Sequence, residues 1–301
     1  MTNLITGSAG MMGSHLYEYL SRDTDKVIPT YYEPTLDSRD KIIRNFNIEM
    51  DVTNKNQIRE VLKKYEPEVI YHLAAQSRPE VSFNYPAKTF ETNVIGTINI
   101  LESCVELGLK PLFVNASSSA VYGDIDWTIP PQENVTCNPL SPYGSSKLAQ
   151  EYVVKNYKQN HDIDYVNVRI FNCTGPRKIN DFVSDICRRL VDSEFPIKVG
   201  NLKTVRSIVD VRDLVQGLSL CQNLRNETIN LGSDTSYEIE DILIKIIGND
   251  IETIVDKSLF RPSDEPLILG NIDKAKNLLS WKPSISLEKT ISDTIKYWQN
   301  I

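Results

Sequence analysis

Through the first two thirds of the chain, short runs of apolar and β-branched residues alternate with stretches in which apolar positions recur every three to four residues. The runs at 3–6, 26–30, 68–73, 112–117 and 165–171 predict strands, and the amphipathic stretches at 13–20, 56–64, 89–107 and 143–161 predict helices. Strand, helix and strand at this spacing predict a parallel sheet covered by helices on both faces, since a right-handed crossover of that length returns the chain beside the strand it left. The fold class is therefore α/β, with a doubly wound parallel sheet.

Past residue 172 the alternation loosens. Helices are expected at 183–191, 211–221, 238–247, 272–279 and 287–298 and a strand at 228–231, with Pro262, Pro266 and Pro283 as breaks. This pattern predicts a smaller lobe built from more than one excursion of the chain. The expected division is 1–171 with 205–232 for the sheet domain, and 172–204 with 233–301 for the interleaved lobe. No internal repeat is present, which excludes a solenoid.

Composition narrows the function classes. With 301 residues, 41% of them hydrophobic, the chain can bury one large core or two modest ones, and a disordered main state is excluded. The 33 Lys and Arg against 40 Asp and Glu leave a formal charge of −7, which repels nucleic-acid backbones at long range but permits a local basic pocket for one anion. The cysteines Cys104, Cys137, Cys173, Cys187 and Cys221 are odd in number and never form a Cys-x-x-Cys pair, so free thiols are expected and structural zinc is not. No apolar run approaches the roughly 18 to 20 residues of a membrane span, and the first residues enter a strand without a basic leader. A cytoplasmic protein with no membrane, nucleic-acid or metal partner is expected.

Leu4-Ile5-Thr6-Gly7-Ser8-Ala9-Gly10-Met11-Met12-Gly13 runs from a strand through a Gly-x-x-Gly-x-x-Gly turn into a helix. Gly7 permits the tight turn, Gly10 lets the backbone approach a pyrophosphate, and Gly13 lets helix and strand pack. The first helical residues, Met11 and Met12, bring free N–H groups and the positive dipole end. Such turns also serve structure alone. Opening the first strand of a β-α-β series, this one marks a dinucleotide site. At the end of the second strand an acidic residue would hold a ribose 2′-hydroxyl and an arginine a 2′-phosphate. Thr30-Tyr31-Tyr32-Glu33 stands there, with Arg39 further on, so Glu33 favours NAD while Arg39 leaves NADP open. Tyr31, Tyr32, Asp51 and Val52 are the candidates at this end of the cofactor. The Asp51 carboxylate can accept from the adenine amine, and an ordinary loop aspartate fits the same position.

Ser117-Ser118-Ser119-Ala120-Val121-Tyr122-Gly123 follows a strand, and Tyr143-Gly144-Ser145-Ser146-Lys147 opens a helix. Tyr143 and Lys147 stand at i and i+4, on one helix face. An ammonium near the phenol favours phenolate and is expected to lower the tyrosine pKa from its usual ~10. A phenolate can take the proton of a substrate hydroxyl as hydride leaves the same carbon, and Ser118 would hydrogen-bond that oxygen. A Tyr-x-x-x-Lys alone matches many solvated helix faces; the glycine turn and the serine-bearing strand end together give it meaning.

The combined pattern resembles the extended short-chain dehydrogenase/reductases that act on nucleotide sugars, from residue 2 to about residue 299. The resemblance implies a Rossmann-type sheet with a smaller substrate lobe and a homodimer packed through helices 89–107 and 143–161. His72-Leu73-Ala74-Ala75 is similar to the family's strand-end motif, implying that the backbone of Leu73, Ala74 and Ala75 lines the cofactor. Thr92-Asn93-Val94-Ile95-Gly96-Thr97 is similar to its helix motif, implying that Asn93 holds the active-site strand or serves packing alone.

Several segments resemble the branch of GDP-mannose 4,6-dehydratases and GDP-4-keto-6-deoxy-mannose reductases: Ala75-Gln76-Ser77, Val81-Ser82-Phe83, Phe171-Asn172, Val205-Arg206, Asp210-Val211-Arg212-Asp213 and Arg261-Pro262-Ser263-Asp264. Trp281-Lys282-Pro283 and Tyr297-Trp298 are most similar to the reductases. The resemblance implies a GDP-linked sugar as substrate, with Asn172 and Val183 bounding the pocket and Arg206 and Arg261 gripping the diphosphate. It further implies Asp264 on the GDP ribose and Lys198 and Ser119 among the substrate contacts. Guanidinium forks suit phosphate, and a carboxylate suits vicinal hydroxyls; a surface role for Arg206 stays open.

One position departs from the pattern. The dehydratases carry a glutamate two residues after the catalytic Ser or Thr, and here that position is Ala120. A methyl group accepts no proton, so hydride exchange at C4 without 4,6-dehydration is expected: a 4-dehydrogenase or 4-keto reductase, with a C4 epimerase as the alternative and a GDP-sugar 4,6-dehydratase ranked below it.

Overall fold

The computed structural model describes residues 1–24, 26–32, 46, 48–248, 251–260 and 265–301. The chain forms two compact units, residues 1–125, 133–170 and 215–230 in the first and 126–132, 171–214 and 231–301 in the second.

In the first unit, β1 (Asn3–Thr6), β2 (Val27–Tyr31), β3 (Ile48–Glu49), β4 (Val69–His72), β5 (Leu112–Ser118) and β6 (Tyr165–Ile170) join a closing strand, Glu227–Leu231. The seven-stranded order is closing strand, β6, β5, β4, β1, β2, β3, and β1 to β6 pair in parallel. Strands β1, β4 and β6 are buried along their whole length. That is why β1 and β4 read as short, mainly apolar runs and not as alternation, while β6 buries Asn167 and Arg169 among its apolar residues. Chain order departs in opposite directions from the gap between β1 and β4, the switch point where an open α/β sheet leaves a crevice at its strand ends.

Around this sheet run α1 (Met11–Leu20), α2 (Lys55–Tyr65), α3 (Pro79–Asn84), α4 (Pro86–Phe90), α5 (Gly96–Glu106) and α6 (Pro142–His161). Leu4, Ile58, Leu62, Ile70, Ile100, Leu101, Cys104 and Phe113 form the fully buried part of the core. The helix expected at 89–107 is interrupted: α4 ends at Phe90 and a π turn, Glu91–Ile95, precedes α5. The turn carries Asn93, whose side-chain bonds described below hold it inward. Short β3 carries too few residues to show periodicity.

The second unit holds α7 (Phe182–Val191), the start of α8 (Val211–Leu220), α9 (Ile239–Ile247), α10 (Asp273–Leu279) and α11 (Leu287–Gln299). Its core is built from Ile186 and Cys187 on α7, Ile242 and Leu243 on α9, and Ile291 and Trp298 on α11. Residues 205–214, expected with the sheet domain, cluster here instead. The strand Val205–Ser207 pairs antiparallel with Ser236–Glu238 and parallel with Leu267–Ile268, which fixes it to this unit. Buried Asp213 accepts from Ser284 N at 2.9 Å, Ser284 Oγ at 2.9 Å and Ile285 N at 2.8 Å. Trp281 Nε1 donates to the Asp213 carbonyl at 3.0 Å, and Trp298 Nε1 to Ser184 Oγ at 3.1 Å. The tail motifs are thus anchors of this unit. Among the described residues no helix is long and apolar enough to cross a membrane, and no group of His, Cys, Asp or Glu is placed to hold a metal ion.

Candidate active site

The glycine turn sits at the switch point. Gly7 has φ +71°, and a Cβ there would lie 2.8 Å from Ala74 Cα and N, so only glycine lets the end of β4 close on the turn. A Cβ on Gly13 would lie 2.7 Å from Ser8 Cα, which explains how α1 starts so tightly against β1. Gly10 is exposed at the N-cap of α1, and no side chain caps the helix. An exposed glycine before an uncapped helix start presents amides and a positive dipole end, and it fits a dinucleotide pyrophosphate.

Thr6 Oγ1 closes the turn from below by accepting from Leu73 N and Ala74 N, both at 3.1 Å, and it meets His72 Nδ1 at 2.9 Å. His72 Nε2 meets Thr97 Oγ1 at 3.0 Å, while the Thr97 hydroxyl donates to Asn93 O at 2.6 Å. A hydroxyl has one proton, so Thr97 accepts from His72, which carries its hydrogen on Nε2 and accepts from Thr6 on Nδ1. Burial, with Lys147 nearby, pushes His72 down to about 3 and keeps it neutral.

The other cofactor candidates divide. Tyr31 is half-buried and Tyr32 exposed at the end of β2, while Glu33 and Arg39 lie outside the described residues. Asp51 Oδ1 accepts from Thr53 N and Thr53 Oγ1, both at 2.8 Å, so it shapes the loop before α2. Val52 is buried, and its carbonyl accepts from Asn99 Nδ2 at 3.1 Å. Ala75 is half-buried. Asn93 is fully buried: its Nδ2 donates to Gln76 O at 3.1 Å and Ser146 Oγ at 2.9 Å, and its Oδ1 accepts from Gln76 N at 2.8 Å. It ties the segment after β4 to α6.

The structure brings Ser118, Tyr143 and Lys147 together. Ser141 caps α6 by accepting from Gly144 N at 3.0 Å, Pro142 needs no partner for its nitrogen, and Tyr143 N donates to Ser82 Oγ at 3.0 Å. The start of α6 is held on both sides, and with it the phenol. The Ser118 hydroxyl hydrogen-bonds to Tyr143, and Lys147 Nζ lies 5.9 Å from the Tyr143 ring centre while donating to Ala116 O at 2.9 Å.

Burial pulls Lys147 down to about 7. Burial also pushes the Tyr143 phenol above its ordinary value, the Ser118 hydrogen bond working in the opposite direction. This corrects the expectation that Lys147 lowers the phenol in the free protein. Both groups are desolvated, which disfavours the charged form of each. Ser119 and Ala120 form a tight turn after β5, and Gly144 accommodates the Ala120 peptide, where a Cβ on Gly144 would stand 2.5 Å from Ala120 O.

A family model described as GDP-mannose 4,6 dehydratase matches residues 4–294. The chain belongs to the NAD-dependent epimerase/dehydratase family. A putative UDP-glucose 4-epimerase of Methanocaldococcus jannaschii is 31% identical over 99% of this chain and 98% of its own. A GDP-mannose 4,6-dehydratase of Vibrio cholerae is 27% identical over 97% of this chain and 92% of its own. Among solved structures, the UDP-glucose 4-epimerase of Thermotoga maritima with UDP-glucose superposes with a TM-score of 0.89 at 26% identity, covering 99% of each chain. Other structures of this fold carry NAD or NADPH. The family is one of extended short-chain dehydrogenase/reductases, enzymes that use a nicotinamide cofactor on nucleotide sugars.

In this member of the epimerase/dehydratase family, the second unit carries most of the residues expected at the substrate, and those that are described stand in different settings. Asn172 is half-buried, its Nδ2 donating to Ser207 O at 3.3 Å, and half-buried Arg206 donates from Nη1 to Val205 O at 2.9 Å. Lys198 is exposed, 3.9 Å from Asp256. Val183 is 2% exposed and packs in the core of the unit, which corrects its placement as a pocket wall. Arg261 and Asp264 lie outside the described residues.

Sequence reasoning quoted Ser82 only within a family segment, with no role, and passed over Glu151 and Arg169, the buried ion pair beneath the site. Arg169 was detectable, since an arginine inside the strand Tyr165–Ile170, whose other residues are uncharged, needs a buried partner.

Proposed function

We propose that this enzyme exchanges hydride at C4 of a GDP-linked sugar, as a 4-dehydrogenase or 4-keto reductase, without 4,6-dehydration. The observation that carries the reading is the pairing of Ser118 with Tyr143 over Lys147 at a strand end where Ala120 follows. Ser118 and Tyr143 hold the sugar's C4 oxygen, and Tyr143 moves its proton. Lys147 supplies positive charge beneath the ring when protonated. A nicotinamide dinucleotide held on the glycine turn, Gly7 to Gly13, would supply the hydride acceptor or donor. Elimination across C5 and C6 additionally needs an acid–base group, and Ser119, Ala120 and Val121 carry no ionisable group.

The first unit is read as the cofactor domain, with the glycine turn on the pyrophosphate and NAD as the favoured dinucleotide, and the second as the nucleotide-sugar lobe. Asn172, Lys198 and Arg206, with Arg261 and Asp264, are read as its ligands for the diphosphate and GDP ribose. Five free cysteines suit a reducing cytoplasm.

A second reading, C4 epimerisation, is supported by the likeness to the two 4-epimerases above. A panel of GDP- and UDP-sugars and their 4-keto forms separates the two, with cofactor absorbance and product mass followed together. The expected result is net cofactor turnover with a product differing by two hydrogens and a preference for GDP. An isomer of unchanged mass without net turnover would establish the epimerase, and a product lighter by one water would overturn the argument from Ala120.

A homodimer is part of the proposal. Phe90, Ile95 and Tyr152 are exposed on α4, the π turn and α6, an apolar set that a twofold contact between copies would cover. Sedimentation is expected to give a dimer that Tyr152→Asp weakens; a monomer at micromolar concentration removes this part of the reading.

A further inference from the structure

On its inner face α6 presents Tyr143, Lys147 and Glu151 at i, i+4 and i+8, one stripe of the helix. Each meets the end of β5: Tyr143 the Ser118 hydroxyl, Lys147 the Ala116 carbonyl, and Glu151 the Ser117 hydroxyl, which donates to Oε1 at 2.6 Å. Glu151 is 1% exposed. A buried carboxylate one helical turn from a buried ammonium is its natural partner, and such a pair would neutralise the charge that Tyr143 needs.

Arg169 stands in the way of that pairing. From β6 its guanidinium makes a two-pronged contact with Glu151, Nε to Oε1 at 2.9 Å and Nη2 to Oε2 at 2.8 Å, so the carboxylate's charge is already matched. The guanidinium is itself held, Nη1 donating to Glu133 O at 3.0 Å and its plane lying 4.8 Å from the centre of the Tyr122 ring. Among the described residues, the charged or titratable neighbours include Tyr143, Glu151 and Lys155 on α6, His72 on β4, Tyr122, Glu133 and Cys137 after β5, and Arg169 on β6. His72 is neutral, and the charged groups bonded along the inner face of α6 are Lys147, Glu151 and Arg169. With Arg169 present the stripe keeps a net positive charge whenever Lys147 is protonated; without it, that charge is cancelled.

We propose that Arg169 is a positioning residue that reserves Lys147 for Tyr143 by occupying the carboxylate of Glu151. The inference rests on Tyr143 as the proton-transfer group, but its test needs neither cofactor nor sugar, so failure of the proposed reaction leaves it standing. Burial is the cause of the lowered Lys147.

The test labels the lysine side chains with 13C at Cε, assigns the Lys147 resonance with Lys147→Met, and follows its titration by NMR. Arg169→Met is expected to move the Lys147 titration up by about one pH unit, because the freed Glu151 carboxylate then favours the ammonium. Glu151→Gln combined with Arg169→Met removes both charges and is expected to return the titration to within roughly a few tenths of wild type. Arg169→Lys, which keeps the charge without the fork, tests the case in which Arg169→Met does not fold, and is expected to stay near wild type. A Lys147 titration unmoved in Arg169→Met, or still displaced in the double variant, or displaced by a full unit in Arg169→Lys, overturns the proposal and leaves Arg169 a purely structural ion pair.

Discussion

Tyr143→Phe is expected to lower kcat on the enzyme's nucleotide sugar by about 10³-fold, with cofactor affinity changed by less than about threefold. The phenol oxygen is the only atom removed, and it faces the Ser118 hydroxyl in a position 8% exposed. Ser118 retains its bond from Ala120 N at 3.1 Å, so the strand end keeps its shape, and the lost hydrogen bond costs about 1 kcal/mol of stability. Rapid-quench turnover with fluorescence titration of the cofactor measures both quantities. Activity within tenfold of wild type would remove Tyr143 from the proton-transfer role.

Lys147→Met is expected to separate activity from stability. In the folded chain burial brings Lys147 from 10.5 to about 7. The unfolded chain therefore binds more protons between these values, so this group's contribution rises with pH across that window. Below about 7 the full cost of burying the charge is present, roughly 4 to 5 kcal/mol at about 1.4 kcal/mol per pH unit. Methionine removes that cost but leaves Ala116 O without its donor, a loss of about 1 to 3 kcal/mol. The variant should thus be more stable than wild type near pH ~6 and less stable near pH ~10, while kcat falls by about 10²-fold or more. Urea unfolding at both pH values measures the crossover. A variant destabilised equally at both would show that Lys147 is not held at a charge-burial cost.

The two predictions also mark which parts of the molecule could be read from residues alone. The strands near 3–6, 69–72 and 112–118 and the helix at 142–161 were legible because parallel strands buried on two faces are continuous apolar runs and long helices repeat over many turns. Ser118, Tyr143 and Lys147 were legible because a strand end and an i, i+4 pair are local. The attachment of 205–214 was not, because the partners of Val205–Ser207 are strands of two or three residues at 236–238 and 267–268, too short for periodicity. Nor was the raised Tyr143, since desolvation is a property of the packed site and of no single residue. Val183 illustrates the same limit: at the first turn of α7 a valine serves equally as pocket wall or core, and packing against α9 and α11 decides.

The closing strand carries a consequence for biogenesis. Strand β6 has the closing strand, Glu227–Leu231, as its outer neighbour, yet that strand is synthesised only after residues 171–214 of the other unit. A nascent chain therefore carries the β6 edge unpaired while much of the second unit is translated, and any transcript that stops before residue 231 leaves it so. An open edge of parallel sheet is a template for intermolecular pairing, so the growing chain is most exposed to mispairing between the completion of β6 and the arrival of residue 231.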